Sequence, residues 1–164
     1  MASPARHGPI AATAMALLCA APVLALSGKA TAAESPNTRS LYTRMGGQPA
    51  IDAIVSDTID QVVADHRLKR SFEGSNIARI KQKLGEQICA LAGGGCEYTG
   101  DPMREVHAGH HISEAEFYGM VQILRTSMRG HHVGLRERNE VLALLAPMER
   151  DVVEPPTSAP KPRN

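Results

Sequence analysis

Residues 93–112 read GGGCEYTGDPMREVHAGHHI and hold six glycine or proline residues and three histidines. The turn chemistry of Tyr98–Pro102 leaves room for a single helical turn, which we place around Met103–His107. Loops longer than about 12 to 15 residues in a compact domain are usually functional or disordered. The segment therefore predicts a functional loop that interrupts an otherwise regular chain.

The sequence on both sides of this loop is helical in pattern. Apolar residues recur at spacings of three and four, which is typical of amphipathic helices. The predicted helices cover 48–63, a stretch from a cap at Ser75 or Asn76 to Gly93, a stretch from a capping box at Ser113 and Glu116, and a stretch from Leu135 with Val141, Leu142, Leu144, Leu145 and Met148 facing inward. No window alternates with period two for long, so the sequence predicts an all-α fold.

Composition indicates one globular domain with an excess of histidine. The 164 residues carry 18 Lys and Arg against 17 Asp and Glu, and this balance argues against a nucleic-acid binder. Hydrophobic residues make up 43% of the chain, which disfavours intrinsic disorder. The chain has seven histidines, whereas Phe, Trp and Tyr together make up only 3% of its residues. Imidazole is often recruited for metals and for proton chemistry near neutral pH.

The two ends of the chain do not share the helical pattern. Arg6 precedes an uncharged stretch over 10–26 with a small-residue exit, so we interpret residues 1–33 as a secretory signal peptide. The apolar stretch falls short of a spanning helix, and we expect no stable membrane span after cleavage. Residues 34–40 are a predicted linker, 41–153 a domain, and 154–164 a disordered Pro-rich tail. The protein is therefore expected to be exported, to the periplasm or the cell surface.

Cleavage after residue 33 would remove Cys19 and leave Cys89 and Cys96. An even count in an oxidising compartment suggests a disulfide, which would contribute about 2 to 3 kcal/mol. Two free thiols are the alternative, and the sequence leaves both open.

Motifs from 41 to 153, taken in order, resemble those of group 1 truncated haemoglobins, short globins with a two-over-two helical sandwich around haem. The motifs are Leu41–Tyr42, Met45–Gly47, Ala64–Asp65, Phe72–Gly74, Gly93–Gly94, Tyr98–Gly100, Val106–Gly109 and Leu144–Pro147. The resemblance implies an all-α truncated globin with haem as its cofactor. The cysteine pair is similar to that of a subset of the family with cysteines at both ends of this turn.

The resemblance makes His107 the proximal ligand of the haem iron. The residues agree with this role, since an imidazole on a short turn can reach iron while its apolar neighbours pack the porphyrin. Those neighbours are Met103, Val106 and Ile112. His110 and His111 fall at positions without a family role, and we predict that they lie at the surface. His111 stands where the family usually has glycine, which permits backbone angles that histidine rarely adopts.

The other side of the haem decides which ligands bind. The resemblance places Phe72 and Phe117 against the haem, and it places Ile59, Ile80 and Leu84 where other members have polar donors to bound dioxygen. An apolar distal pocket would forfeit about 0.5 to 1.5 kcal/mol of stabilisation of bound O₂. The sequence therefore predicts reversible binding of O₂, NO or CO rather than tight oxygen storage.

Lys83 is the polar candidate on this side. By the resemblance it could ligate the iron, or it could face a haem propionate or solvent; an amine coordinates only when deprotonated. Arg79 and Lys81 are further propionate candidates, and the sequence does not order them.

Two other function classes remain open from the residues. An exported His-rich helical protein without haem could chelate copper, nickel or zinc, although no Cys, Asp or Glu stands at a spacing that completes a tetrahedral site. A helical interaction domain without cofactor would have no reason to keep the long loop. No catalytic constellation is visible, so NO dioxygenation or peroxidase-like turnover would be chemistry of the iron and would need a reductase partner.

Overall fold

A computed structural model describes residues 38–154, and these residues are helical with no strand. The helices are α1 (Leu41–Met45), α2 (Gly47–Ala64), α3 (Ile77–Leu91), α4 (Met103–His107), α5 (Glu114–Gly130), α6 (Leu135–Leu145) and α7 (Glu149–Val152), with 3-10 turns at Lys69–Phe72 and Ala146–Met148. The predicted signal peptide, residues 34–37 of the predicted linker and residues 155–164 of the predicted tail lie outside the described residues.

The helices predicted from periodicity are all present, and two of them, α3 and α5, start at the predicted capping residues. Asn76 caps α3 by accepting a hydrogen bond from the backbone N–H of Arg79 at 3.0 Å. Ser113 and Glu116 form a reciprocal capping box at the start of α5. The single turn predicted at residues 103–107 is α4. The short elements α1 and α7 and the turn at Lys69–Phe72 were not predicted.

The core lies where α2 packs against both α3 and α5, and α5 in turn packs against α6. Its apolar side chains come from all four helices: Ile51, Ile54, Val55, Ile59, Ile88, Leu124, Met128 and Val141 are buried. Burial of such side chains contributes about 1.5 to 3 kcal/mol each. Leu144 was predicted to face this core but is 38% exposed, since α6 packs on α5 and α1 through another face.

The glycine-rich turn at the end of α3 packs against α1. A Cβ on Gly94 would lie 2.5 Å from both the Cys89 Sγ and a ring carbon of Tyr42, so the close approach requires glycine. The backbone N–H of Tyr42 donates to the carbonyl of Ala92 at 2.9 Å. In the structure the Sγ atoms of Cys89 and Cys96 are bonded, with their Cα atoms 5.7 Å apart, so this turn ends in a closed loop. The segment that follows is thereby fixed to α3.

Candidate functional site

A cavity of about 360 Å³ lies between α3, the turn at Lys69–Phe72, the segment after Tyr98 and α5. Its size falls in the range of small-molecule sites. The predicted cofactor-binding residues that line it are Phe72, Ile80, Lys83, Leu84, Met103, Val106, His107, Ile112 and Phe117. Residues far apart in the sequence therefore meet at one mostly apolar cavity.

Ile59 is the predicted distal residue that does not line this cavity. Its side chain is fully buried in the core between the helices, and the wall receives Val62 from the next turn of α2 instead. Residues three apart in a helix lie on nearly the same face but about 4.5 Å apart along its axis, so Val62 contacts the cavity while Ile59, one turn earlier, packs in the core.

His107 is half-buried in the cavity wall with one ring nitrogen engaged. Its Nδ1 lies 2.7 Å from the carbonyl oxygen of Met103, and a carbonyl can only accept, so Nδ1 carries the proton. Burial lowers the pKa of His107, and the charge of His110 lowers it further against the opposing effect of the Met103 carbonyl. The side chain is therefore a neutral imidazole with the lone pair of Nε2 free, which is the form that binds iron.

The other two histidines of the loop lie in different places. His110 was predicted at the surface but is half-buried and lines the cavity, because its backbone N–H donates to the carbonyl of His107 at 3.2 Å and turns the chain inward. His111 is exposed, as predicted, and its φ of 50° is in the region that favours glycine.

Arg70 holds the loop carbonyls next to His107. Its guanidinium donates to the carbonyl oxygens of His110 at 3.0 Å and of His111 at 3.1 Å, and to Glu116 at 2.7 Å. Burial would raise the pKa of Glu116, but hydrogen bonds from Ser113 and Arg70 outweigh it and lower this pKa to about 2. The start of α5 and the loop are therefore fixed to one another through charge.

Glu154 holds the same loop from the carboxyl end of the domain. Its carboxylate accepts from the backbone N–H of Gly109 and lies 2.8 Å from His111 Nδ1, and its own N–H donates to the carbonyl of Ile112 at 3.0 Å. These contacts lower the pKa of Glu154, that with Gly109 most. Residue 154 was predicted to begin the tail, but its hydrogen bonds make it part of the domain.

Lys83 lies in the wall of the same cavity, and its amine is hydrogen-bonded to two neighbouring side chains. Its Nζ donates to both carboxylate oxygens of Glu86, at 3.1 and 2.9 Å, and to the hydroxyl of Thr99. The Thr99 hydroxyl donates in turn to Glu86 at 2.8 Å. Hydrogen bonds from Lys83 first and Thr99 second lower the pKa of Glu86 to about 2.

The structure separates the other two candidate cations. Arg79 lines the cavity and lies 3.9 Å from Asp101, whereas Lys81 is absent from the cavity lining and donates to Asp60 at 2.7 Å. Arg79 is therefore placed to meet a polar group at the rim, and Lys81 is not.

Gln87 is a polar residue of the wall that the sequence analysis missed. Its Nε2 donates to the Sδ atoms of Met148 at 3.1 Å and Met103 at 3.6 Å, and only 8% of the residue is exposed. Gln87 follows Leu84 by one helical turn and therefore lies on the same face of α3, which is the sequence signal that could have revealed it.

The histidines of the described part of the chain do not join other side chains in a metal-ion cluster. Among residues 38–154 no group of three or more His, Cys, Asp and Glu side chains is placed to hold a metal ion. The metal-chelating alternative is therefore not favoured. None of the helices described over this range is long and apolar enough to cross a membrane.

An apolar cavity whose wall holds the free ring nitrogen of His107 and the cations Arg79 and Lys83 fits a haem, and with the helical fold it points to a small globin. Comparison with known families agrees, since the bacterial-like globin family matches residues 40–154. Group 1 truncated haemoglobin from Mycolicibacterium paratuberculosis is 33% identical over 113 residues, which are 69% of this chain and 83% of that protein. The chain therefore belongs to the group 1 truncated haemoglobins within the bacterial-like globin family.

Other relatives and solved structures agree. The group 1 truncated haemoglobin of Nostoc sp. is 27% identical over 63% of this chain and 87% of its own length. The Fe(III) form of Tetrahymena pyriformis truncated haemoglobin superposes with a TM-score of 0.68 at 23% identity, covering 71% of this chain and 100% of that one, which is a likeness of fold.

The 2/2 haemoglobin of Synechococcus sp. PCC 7002, solved in the cyanomet state with covalently attached haem, superposes with a TM-score of 0.66 at 25% identity. It covers 70% of this chain and 98% of its own. The predicted all-α truncated globin fold is confirmed by these comparisons, and family membership confirms haem as the predicted cofactor.

Proposed function

We propose that this protein binds haem through Nε2 of His107 and reversibly binds diatomic gases at the iron, on the side lined by Ile80 and Leu84. The observation that carries the proposal is the state of His107, whose Nδ1 is committed to the Met103 carbonyl inside an apolar cavity. That hydrogen bond fixes the ring and leaves Nε2 as the only ring nitrogen available to a metal.

When bound, ferrous haem would supply the iron that coordinates O₂, NO or CO. The chain supplies the surroundings of that iron. Ile80 and Leu84 exclude water and carry no hydrogen-bond donor, and the donors of Lys83 are committed to Glu86 and Thr99. A hydrogen-bond donor stabilises bound O₂ more than bound CO, because bound O₂ carries partial negative charge. We therefore expect this pocket to favour O₂ over CO less than a polar pocket would.

Haem titration of the purified protein tests this function. We expect an intense Soret band at one haem per chain that shifts when CO is added to the reduced form. His107→Ala should abolish or greatly weaken the band, because it removes the imidazole that the Met103 carbonyl holds in place in the cavity wall. His66→Ala is the matched control, since the side chain of His66 is 87% exposed and does not line the cavity. A wild-type protein that stays colourless after desalting would contradict the proposal.

We also propose that the protein acts outside the cytoplasm, in the periplasm or at the cell surface. The signal-like layout of residues 1–33 supports this, and so does the pair of cysteines that would remain after cleavage. Sequencing the amino terminus of the protein from its native cells tests it. A mature chain that begins near residue 34 is expected, and one that begins at Met1 would contradict export by cleavage.

A further inference from the structure

A primary amine in the wall of a metal-binding cavity is itself a ligand once it has lost a proton. Lys83 lines the cavity together with Ile80 and Leu84, so its amine is within the same site. A five-coordinate iron that is open to gases requires that this amine be kept from the metal. The contacts of Lys83 show which groups of this chain would do so.

An ammonium group has three N–H donors, and those of Lys83 have three acceptor atoms. Two are the carboxylate oxygens of Glu86, at 3.1 and 2.9 Å, and the third is the hydroxyl oxygen of Thr99. The side chains of Lys83 and Glu86 are 18% and 20% exposed, so water competes less for this pair than for an exposed one.

The acceptors are themselves held in place. Glu86 accepts from the backbone N–H of Thr99 at 3.2 Å and from its hydroxyl at 2.8 Å, and Gln82 donates to its other oxygen at 2.9 Å. Thr99 belongs to the segment that is joined to α3 through Cys96 and Cys89. The carboxylate is therefore fixed from both α3 and the following loop.

We propose that Glu86, assisted by Thr99, is a positioning residue that holds the Lys83 amine out of the iron's coordination shell and so keeps the iron open to gases. The proposal rests on the proposed function, because it requires a haem iron in this cavity. Replacing the Glu86 carboxylate by an amide removes its negative charge and one of the three acceptor oxygens of Lys83. The Lys83 ammonium can then lose a proton to solvent and bind the iron as a neutral amine.

Absorption spectra of the haem-loaded protein, reduced and without added gas, test the proposal. We expect a five-coordinate, high-spin spectrum for wild type and for Lys83→Ala. Glu86→Gln should add a six-coordinate, low-spin component, and the double variant Lys83→Ala with Glu86→Gln should return to the wild-type spectrum. If lysine occupies about nine-tenths of the iron in Glu86→Gln, the apparent affinity for CO falls about tenfold.

Asp60→Asn is the matched control. This substitution removes the carboxylate that pairs at 2.7 Å with Lys81, which lies on the same helix as Lys83. Neither Asp60 nor Lys81 lines the cavity. The spectrum of Asp60→Asn should equal that of wild type. Haem stoichiometry, measured for every variant, shows that each is folded and loaded.

Three results would overturn the proposal. A Glu86→Gln spectrum equal to that of wild type shows that the carboxylate restrains nothing. A low-spin component that persists in the double variant comes from a ligand other than Lys83. A change of the reduced spectrum in Lys83→Ala alone shows that lysine already binds the iron. In all three the Soret band still depends on His107, whereas failure of the proposed function leaves no band in any variant.

Discussion

The core and the His107 segment of this domain are held together by different forces. In the core, Ile59, Ile88 and Met128 are 0 to 3% exposed and pack between α2, α3 and α5. The His107 segment, residues 103–112, has no fully buried residue and is held by polar contacts from Arg70 and Glu154. The fold therefore depends mainly on apolar burial, whereas the geometry around the proposed iron ligand depends on hydrogen bonds and ion pairs. Substitutions in the two regions should have separable effects.

The largest expected effect is on folding, from the core. Ile59→Ala should lower the free energy of unfolding by about 2 to 5 kcal/mol, because it leaves a void at a fully buried position. Urea denaturation followed by circular dichroism measures it. Ile80→Ala, in the cavity wall, is the comparison and should change gas affinity more than stability. If Ile59→Ala were as stable as wild type but had altered gas affinity, Ile59 would line the distal pocket and its assignment to the core would be wrong.

The bond between Cys89 at the end of α3 and Cys96 in the following turn should have the next largest effect. A disulfide that closes the short loop from Cys89 to Cys96 is worth about 2 to 3 kcal/mol. The free energy of unfolding of wild type, measured in urea, should fall by this amount when a thiol reductant is present. Cys96→Ser should be as stable as reduced wild type and insensitive to the reductant. Equal midpoints for wild type with and without reductant would show that the thiols are free in solution.

Acid should weaken the contact between the His107 segment and α5. The pKa of Glu116 is lowered from 4.5 to about 2 in the folded protein. The ionised carboxylate therefore stabilises the fold at pH values above its ordinary pKa. This contribution is complete above about pH 4.5 and is lost as the pH falls towards 2. Glu116→Gln should therefore be less stable than wild type at pH 7 and lose less stability on acidification.

Unfolding curves recorded between pH 7 and pH 2.5 measure this difference. Glu114→Gln is the matched control, since Glu114 lies on the same turn of α5 and is exposed. Parallel pH dependences for wild type and Glu116→Gln would contradict the assignment of the carboxylate.

The smallest expected effect is on haem retention, from the carboxyl end of the domain. Glu154→Gln weakens the contacts to Gly109 and His111 and leaves the core untouched. We expect faster haem loss to an excess of a haem-scavenging apoprotein, with little change in the unfolding midpoint of the haem-free chain. Glu105→Gln, an exposed change within the same segment, should retain haem as wild type does. Equal rates for both variants would show that Glu154 does not hold the segment.

The same contrast explains what the sequence could predict. Apolar spacing and the caps at Asn76 and Ser113 predict the long helices because these signals are local. The elements α1 and α7 are shorter than two helical turns, too short for an apolar period to show in the sequence. His107 and its apolar neighbours follow from motif order.

The polar part of the site depends on contacts between distant residues. The approach of Arg70 to the loop carbonyls, the inward turn of His110 and the enclosure of Gln87 between two methionines leave no local signal. Ile59 was placed by its position along α2, and only the packing of that helix shows that it faces the core.

Resonance Raman spectroscopy of the reduced haem protein tests the bond between His107 and iron most directly. We predict an iron–imidazole stretching band in wild type that is absent in His107→Gly and restored when free imidazole is added to that variant. The Nδ1 contact with the Met103 carbonyl should keep this ligand a neutral imidazole. A band of undiminished intensity in His107→Gly without imidazole would show that another residue binds the iron.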